Sequence, residues 1–469
     1  MHTSTTSTVP LVSWTAAQLL EATQGYWLND QAPNTEIKRI LTDSRDAEAG
    51  DAFLALKGER FDAHAFITQV AEQGCQVAIV SQPIEAEICQ LVVPDTRLAL
   101  GQLGAYRRAQ NPQLKVIALT GSSGKTTTKE MLGSILSRIA PTLVTRGNLN
   151  NDLGVPVMLL ELRPEHQYAV MELGASHQGE IDYTSNLVQP LVAGIINIGT
   201  AHLGEFGGRD GICRAKSEIY AHIAPNGTSI VPAADDFADS IRQAVQTEQV
   251  LSFGAGGEIF ATEIELQAQS ATFKLNTPQG VRQVNLPFAG EHNVQNSTAA
   301  AAFALAIGIS LDDIVLGLEQ AVGAKGRLNF IQQGRHLLID DTYNANPTSM
   351  RAAAEVLAQQ EGVRVMVMGD IGELGSSAAQ QHYMLGRDLV SVKGLNFVVA
   401  VGEFAPAAQE GARSTQYGKK MQAFLTQEQA LPFLLSLIET HQPQSMSFLF
   451  KGSRYTHMET LMADLMEKL

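Results

Sequence analysis

"KVIALTGSSGKTTTKEM", Lys115 to Met131, is the stretch on which the reading of the whole chain turns. A short apolar run ends at Thr120, and a turn carrying Gly121 and Gly124 follows. Beyond Lys125 the apolar residues Met131, Leu132, Ile135, Leu136 and Ile139 recur at helical spacing until Pro141. Strand, glycine turn and helix start, in that order, make a phosphate-binding loop: a helix N-terminus offers backbone N–H groups and the positive end of its dipole to an anion. The glycines let the backbone wrap closely, Lys125 can reach terminal phosphates, and the Thr126 hydroxyl suits Mg²⁺. Ser122, Ser123 and Thr127 complete the candidate contacts, and ATP is the expected nucleotide. One residue departs from the longer form of such loops, which begins with a further glycine. That place, position 119, holds leucine.

Around this loop the chain reads as ordinary globular protein. Its 469 residues suggest about three domains. Apolar runs recur and end in polar turns followed by helical patterns: Tyr168–Leu173, Ala193–Ile198, His336–Asp340, Arg364–Gly369, Phe397–Gly402 and Met446–Phe450. Such runs predict parallel sheets covered on both faces, with ligands at the carboxyl ends of the strands. The first hundred residues show shorter strands and weaker periodicity. Boundaries are expected near Thr96 and Arg327, dividing the chain into residues 1–95, 96–327 and 328–469.

Composition excludes several classes of partner. The net charge is −15 and no segment concentrates Lys and Arg, so neither a nucleic-acid backbone nor an anionic membrane is expected. Three widely spaced cysteines, Cys75, Cys89 and Cys213, read as reduced thiols in a cytosol. The first residues lack a signal-peptide pattern, and no apolar stretch reaches membrane-spanning length. A cytoplasmic protein is expected.

Further residues carry possible chemistry. Glu172 ends an apolar strand at a glycine turn, where a carboxylate could hold Mg²⁺. His202 follows another strand in "GTAH". Lys216, in "CRAKSEIYAHI", reads locally as a solvated helix lysine. Asn293 and Asn296 stand three apart on one helix face, with amides that suit an adenine edge or a helix cap. Arg327 could neutralise a phosphoryl group, and Asp341 lies at a strand's carboxyl end.

Eight segments extend this into a resemblance: "GSSGKTTTKEM", "GNLNNDLGVP", "MELGASHQGEI", "NIGTAHLGEFG", "AKSEIY", "GEHNVQNSTAA", "KGRLN" and "DDTYNANPTSM". Their order resembles that of the Mur ligases over essentially the whole chain, and the family's short Gly-x-x-Gly-Lys-Thr loop accounts for Leu119. The resemblance implies three α/β domains: a small UDP-sugar-peptide domain, a P-loop ATPase-like domain, and a Rossmann-like domain for the ATP ribose and the incoming amine. It is strongest to the members that join D-alanyl-D-alanine to UDP-N-acetylmuramoyl-tripeptide through an acyl phosphate. It also implies two Mg²⁺ ions held by Thr126, Glu172, His202 and a carbamate formed on Lys216. Catalytic roles fall to Lys125, Lys216, His202 and Arg327; adenine contact falls to Asn293 and Asn296, and ribose contact to Asp341.

In "TDSRDAEAGDAFLALKGERFDAHAF" the positions Ser44, Arg45, Arg60, Asp62 and His64 match the family's nucleotide-sugar domain, as Asn148 and Asn151 match its substrate side. Ala63 and Ala65 depart from the family's usual Gly and Asp. The turns "GDIGELG" and "KGSRYTHM" are candidates for holding the dipeptide, and a monomer is expected. Three alternatives stand beside this reading. A folylpolyglutamate synthase would lack the "TDSR" segment. The diaminopimelate-adding Mur ligase carries a "DNPR" motif that this chain lacks. A catalytically silent nucleotide sensor would show no ATP turnover.

Overall fold

The computed structural model describes residues 12–58, 61–200 and 206–469. The N-terminal sheet contains β1 (Tyr26–Trp27), β2 (Ile40–Leu41), β3 (Ala52–Leu54), β4 (Val77–Val80) and β5 (Cys89–Val92), in the order β1-β5-β4-β3-β2. Only the β1–β5 pair is antiparallel. Strands this short bury little by themselves, so one face is covered by a cluster including Trp14, Leu19, Leu100 and Leu103. The Arg107 guanidinium lies 4.0 Å from the centre of the Trp14 ring and donates to the Val12 and Ser13 carbonyls, closing that core.

Six strands form the central sheet: β6 (Lys115–Thr120), β7 (Thr142–Val144), β8 (Tyr168–Glu172), β9 (Val192–Ile195), β10 (Thr228–Pro232) and β11 (Gln249–Phe253), in the order β11-β10-β9-β6-β8-β7. Leu119 is a fully buried residue of β6. The strand therefore continues through the place where a longer loop would already have turned, and a core side chain stands where a glycine is otherwise needed. The following helix spans Lys125–Ser137 and buries Met131, Leu132, Ile135 and Leu136. It ends before Ile139, which is exposed, so the apolar spacing overran the helix.

An antiparallel meander follows, which the parallel-sheet expectation did not include: β12 (Phe260–Leu266), β13 (Ala271–Thr277) and β14 (Gly280–Leu286). Its signal is the alternation in "ATFKLNT", where Ala271, Phe273 and Leu275 are buried and Lys274 is exposed, the pattern of a sheet with one wet face.

The C-terminal sheet is doubly wound. It holds β15 (Asn329–Gln333), β16 (His336–Asp340), β17 (Val363–Gly369), β18 (Phe397–Val401), β19 (Met421–Phe424) and β20 (Met446–Lys451), in the order β15-β16-β20-β17-β18-β19. Apart from the antiparallel β15–β16 pair, the strands are parallel. Met366 and Met368 of β17 face Met350, Leu385 and Ala408, whereas Val365 and Val367 face Leu434 and Leu461. Alternate side chains of one strand thus bury helices on opposite faces. The last strand, β20, inserts between β16 and β17, and the chain's direction of travel across the sheet reverses there. Such a reversal opens a crevice at the carboxyl ends.

By packing, the chain forms two compact units. One comprises residues 1–118, 140–174 and 180–191; the other comprises 119–139, 175–179 and 192–469. Among the described residues no helix is long and apolar enough to cross a membrane, and all three cysteines are free thiols.

Candidate active site

In the first unit, the expected sugar-nucleotide residues sit on two turns. Asp43 caps the turn Ser44–Asp46 and holds the Arg45 guanidinium, whose side chain is 85% exposed. Asp62 caps the next turn and accepts from the His64 backbone. The His64 ring points inward: Nδ1 lies 2.5 Å from Asp62 Oδ1, and Nε2 accepts the Ser81 N–H at 2.9 Å. Both ring nitrogens are thus committed, and His64 buttresses the turn instead of reaching outward. Arg60 lies outside the described residues.

Glu172, at the carboxyl end of β8, is only 2% exposed. Its Oε1 accepts from the Asn150 amide at 2.8 Å, and its backbone N–H donates to Thr145 Oγ1 at 3.0 Å. Asn150 is in turn fixed by its carbonyl, which accepts from Gly174. Sequence reasoning passed over Asn150 in favour of its neighbours, yet "NLNN" contained it. Asn148 and Asn151 are exposed; Asn151 Oδ1 accepts from Gly154 at the start of helix Gly154–Leu160.

The second unit holds the phosphate loop. Gly124 adopts φ +77°, and a Cβ there would fall 2.2 Å from Asn296 Oδ1, so only glycine fits. Lys125 Nζ donates to the Gly121 carbonyl at 2.8 Å, which keeps the ammonium at the loop. The first bond of the helix runs from the Thr128 N–H to the Gly124 carbonyl; the N–H groups of Lys125, Thr126 and Thr127 precede it and form the anion-facing turn. Ser122 Oγ is buried and has no hydrogen-bond partner among the described residues, a feature that fits a polar ligand nearby.

Asn293 and Asn296 lie side by side on the helix Glu291–Ala306. Both are buried; Asn296 Nδ2 donates to Asn293 Oδ1 at 3.0 Å, and Asn293 Nδ2 donates to the Ala289 carbonyl. With Asn296 Oδ1 only 2.2 Å from where a Gly124 Cβ would fall, the pair packs against the loop, and each amide retains hydrogen-bonding capacity beyond these bonds. Lys216, on helix Arg209–Ser217, is 2% exposed and so is not a solvated helix lysine. His202 lies outside the described residues. Among the described residues no three His, Cys, Asp or Glu side chains cluster at metal-binding spacing.

Arg327 and Asp341 meet at the crevice beside β20. The Arg327 guanidinium stacks 4.4 Å from the Tyr343 ring centre, and its Nε is buried without a partner. Asp341 is ion-paired at 2.7 Å with Lys451, whose Nζ also donates to the Asn344 carbonyl. Burial pushes the Asp341 carboxyl up and the Lys451 ammonium down, and each partner's charge pulls the other back. Lys451 opens the turn read as a candidate for the dipeptide, and its ammonium is held by Asp341. The turns "GDIGELG" and "KGSRYTHM" are tied together by the Gly372 N–H to Ser453 Oγ and the Ser453 N–H to the Asp370 carbonyl.

Three family models match in register with this architecture: "Mur ligase family, catalytic domain" over residues 36–118, "Mur ligase middle domain" over 119–304, and "Mur ligase, glutamate ligase domain" over 326–454. The UDP-N-acetylmuramoyl-tripeptide–D-alanyl-D-alanine ligase of Escherichia coli K12 is 41% identical over 461 residues, covering 97% of this chain and 99% of its own. The chain belongs to the Mur ligase family. A crystal structure of MurF from Acinetobacter baumannii is 76% identical with a TM-score of 0.95, covering 98% of this chain and all of its own. MurF from Thermotoga maritima in complex with ADP superimposes with a TM-score of 0.80 at 26% identity, over 92% of this chain and 97% of its own. The three-domain Mur ligase architecture is therefore that of this Mur ligase too.

Proposed function

We propose that this Mur ligase joins D-alanyl-D-alanine to UDP-N-acetylmuramoyl-tripeptide, driven by ATP, to give the pentapeptide precursor of peptidoglycan. The observation that carries the reading is near full-length identity with ligases of that name, on a chain whose phosphate loop is intact. Residues 1–95 would bind the nucleotide sugar, 96–327 the ATP, and 328–469 the ribose and the dipeptide. We place the reaction in the cytoplasm, where ATP is made available, and take the working unit to be a monomer.

The chain's own residues perform the following work. Lys125 and Arg327 neutralise the γ-phosphate while the tripeptide carboxylate attacks phosphorus and ADP departs. The dipeptide amine then attacks the acyl carbon of the resulting acyl phosphate; phosphate leaves and the amine loses a proton. Water would destroy that acyl phosphate, so the substrates must react in a site that excludes it. Thr126, Glu172, His202 and a carbamate on Lys216 are the groups that would hold two Mg²⁺ ions. Hydroxyl and carboxylate oxygens suit a hard cation, and the Asn150 amide fixes one oxygen of the Glu172 carboxylate. Bound there, Mg²⁺ would offset charge on the phosphoryl oxygens.

Lys216 is enclosed and not a solvated lysine, and a carbamate there would present the oxygens a hard cation prefers. Lys216→Ala should lose most activity and regain part of it with added formate or acetate, while Lys216→Arg stays inactive. If no short carboxylate helps and arginine works as well as lysine, the carbamate is wrong. The reaction itself is tested by supplying ATP, UDP-N-acetylmuramoyl-tripeptide and D-alanyl-D-alanine and looking for the pentapeptide by mass spectrometry. Absence of product, or vigorous ATP hydrolysis with neither co-substrate, would overturn the assignment.

A further inference from the structure

The loop between β9 and the undescribed residues 201–205 runs directly beneath the phosphate loop. A Cβ on Gly121 would lie 3.1 Å from Ile196 Cβ, and one on Gly199 would lie 3.1 Å from Ser122 Cβ. At the centre of this contact Asn197 uses every polar group it can turn toward the phosphate loop. Its carbonyl accepts the Ser122 N–H at 3.1 Å. Its Oδ1 accepts the Ser123 N–H at 3.0 Å and the Ser123 hydroxyl at 3.3 Å, and its Nδ2 donates to the Ser123 carbonyl at 2.9 Å. The next peptide is gripped from the other side. The Ile198 N–H donates to Asp235 Oδ2 at 2.8 Å, and the Ile198 carbonyl accepts from Arg209 at 2.8 Å. Asp235 is itself fixed by the Phe237 N–H, and Arg209 by Asp236 and the face of the Phe237 ring.

We infer that Asn197 is a positioning residue for the nucleotide phosphates, and that Asp235 and Arg209 act through it. In a wrapped phosphate loop, successive backbone N–H groups face the anion. Here two of them, from Ser122 and Ser123, are already taken by Asn197. The phosphates are left with the helix N-terminus at Lys125–Thr127, and Asn197 sets where that terminus stands. The clamp is neutral, so it holds the loop without competing for the anion. This inference rests on the reading of the loop as the ATP site.

Magnesium-ADP binding by calorimetry, with ATP and dipeptide KM values, tests it. Asn197→Ala removes three side-chain hydrogen bonds and should weaken ADP by about tenfold or more. It should raise the KM for ATP and leave that for D-alanyl-D-alanine in place, a split that general loosening of the fold would not give. Asp235→Ala should weaken ADP several-fold. The double variant should bind no worse than Asn197→Ala alone, because both act through one strut. Arg209 has a side chain that is 37% exposed, so Arg209→Ala keeps the core intact even if the half-buried Asn197 and Asp235 variants fold poorly; it should weaken ADP by about threefold. ADP affinity unchanged in Asn197→Ala or Arg209→Ala, or effects that multiply in the double variant, would overturn the inference. Wild-type protein that binds no ADP would sink the nucleotide reading instead.

Discussion

The phosphate loop and the crevice beside β20 solve the same problem in opposite ways. Each is a turn at the carboxyl end of a parallel sheet, and in the proposed reaction each would be held still for a nucleotide. At the loop the holding groups are amides: Asn197 against Ser123, and Asn296 against Gly124. At the crevice the holding group is a buried ion pair, Asp341 with Lys451. Neutral clamps add no charge of their own beside Lys125. A charged clamp fixes Asp341 firmly but depends on both partners keeping their charge. The contrast shows that rigidity at a binding edge does not require charge, and that charge used for rigidity brings a dependence on pH and on its partner.

The comparison breaks most visibly at Lys451. Lys451→Met leaves a buried carboxylate without its cation and should cost about 3–5 kcal/mol in urea unfolding. Adding Asp341→Leu should return most of that stability while leaving ATP binding weak. A single variant as stable as wild type would mean that the pair does not hold the crevice.

At the loop the expected damage is to chemistry and not to folding. Lys125→Ala should lower turnover by at least ~10²-fold, because it removes positive charge from the transferring phosphoryl group. Its thermal midpoint should match wild type, since the amide clamps remain. Near-normal turnover would return this loop to an ordinary helix cap.

The pH dependence sharpens the contrast further. Beside the crevice, burial and the Lys451 charge push the His292 imidazole down to about 4 from the ordinary 6.5. Between those values the unfolded chain binds the extra proton, so stability is complete above the upper value and falls as the pH falls. The loss attributable to His292 should be about 2 kcal/mol between about pH 7.5 and pH 5. His292→Gln should remove that share of the slope. If the slope is the same in both proteins, His292 is not buried neutral.

The smallest effect belongs to the exposed turn of the first unit. Arg45→Ala should leave the thermal midpoint unchanged and raise the KM for UDP-N-acetylmuramoyl-tripeptide, since its ion pair with Asp43 sits in solvent. Unaltered KM would remove Arg45 from the substrate side.

What the sequence disclosed follows the same division. Strands such as His336–Asp340 and Lys115–Thr120 were legible to the residue, because largely buried strands inside a sheet are nearly unbroken apolar runs. The meander at β12–β14 was legible in its alternation but was overlooked beside the louder runs. Lys125 and Glu172 could be named because motif and strand end coincide. The clamping residues could not: Asn197 and Asp235 lie 74 and 112 positions from Ser123, and no local pattern links them to it. Burial was equally hidden. Nothing in "AKSEIY" indicates that Lys216 is enclosed, and nothing in "FDAH" indicates that His64 faces inward, because both depend on neighbours supplied by distant segments.

The hydrogen bond from Ile198 to Asp235 also bears on how the protein ages. Asparagine deamidates when the peptide nitrogen of the following residue attacks the side-chain amide carbon, closing a succinimide ring. At Asn197 that nitrogen belongs to a β-branched isoleucine, and its hydrogen is already donated to a carboxylate. The ring cannot close without breaking the bond to Asp235 and lifting the amide off Ser123. Deamidation here would put an aspartate oxygen where Nδ2 donates and a negative charge beside an anion site. Asp235 therefore guards the lifetime of the clamp as well as its position, and slow chemical decay should reach exposed amides such as Asn148 and Asn151 long before it reaches Asn197.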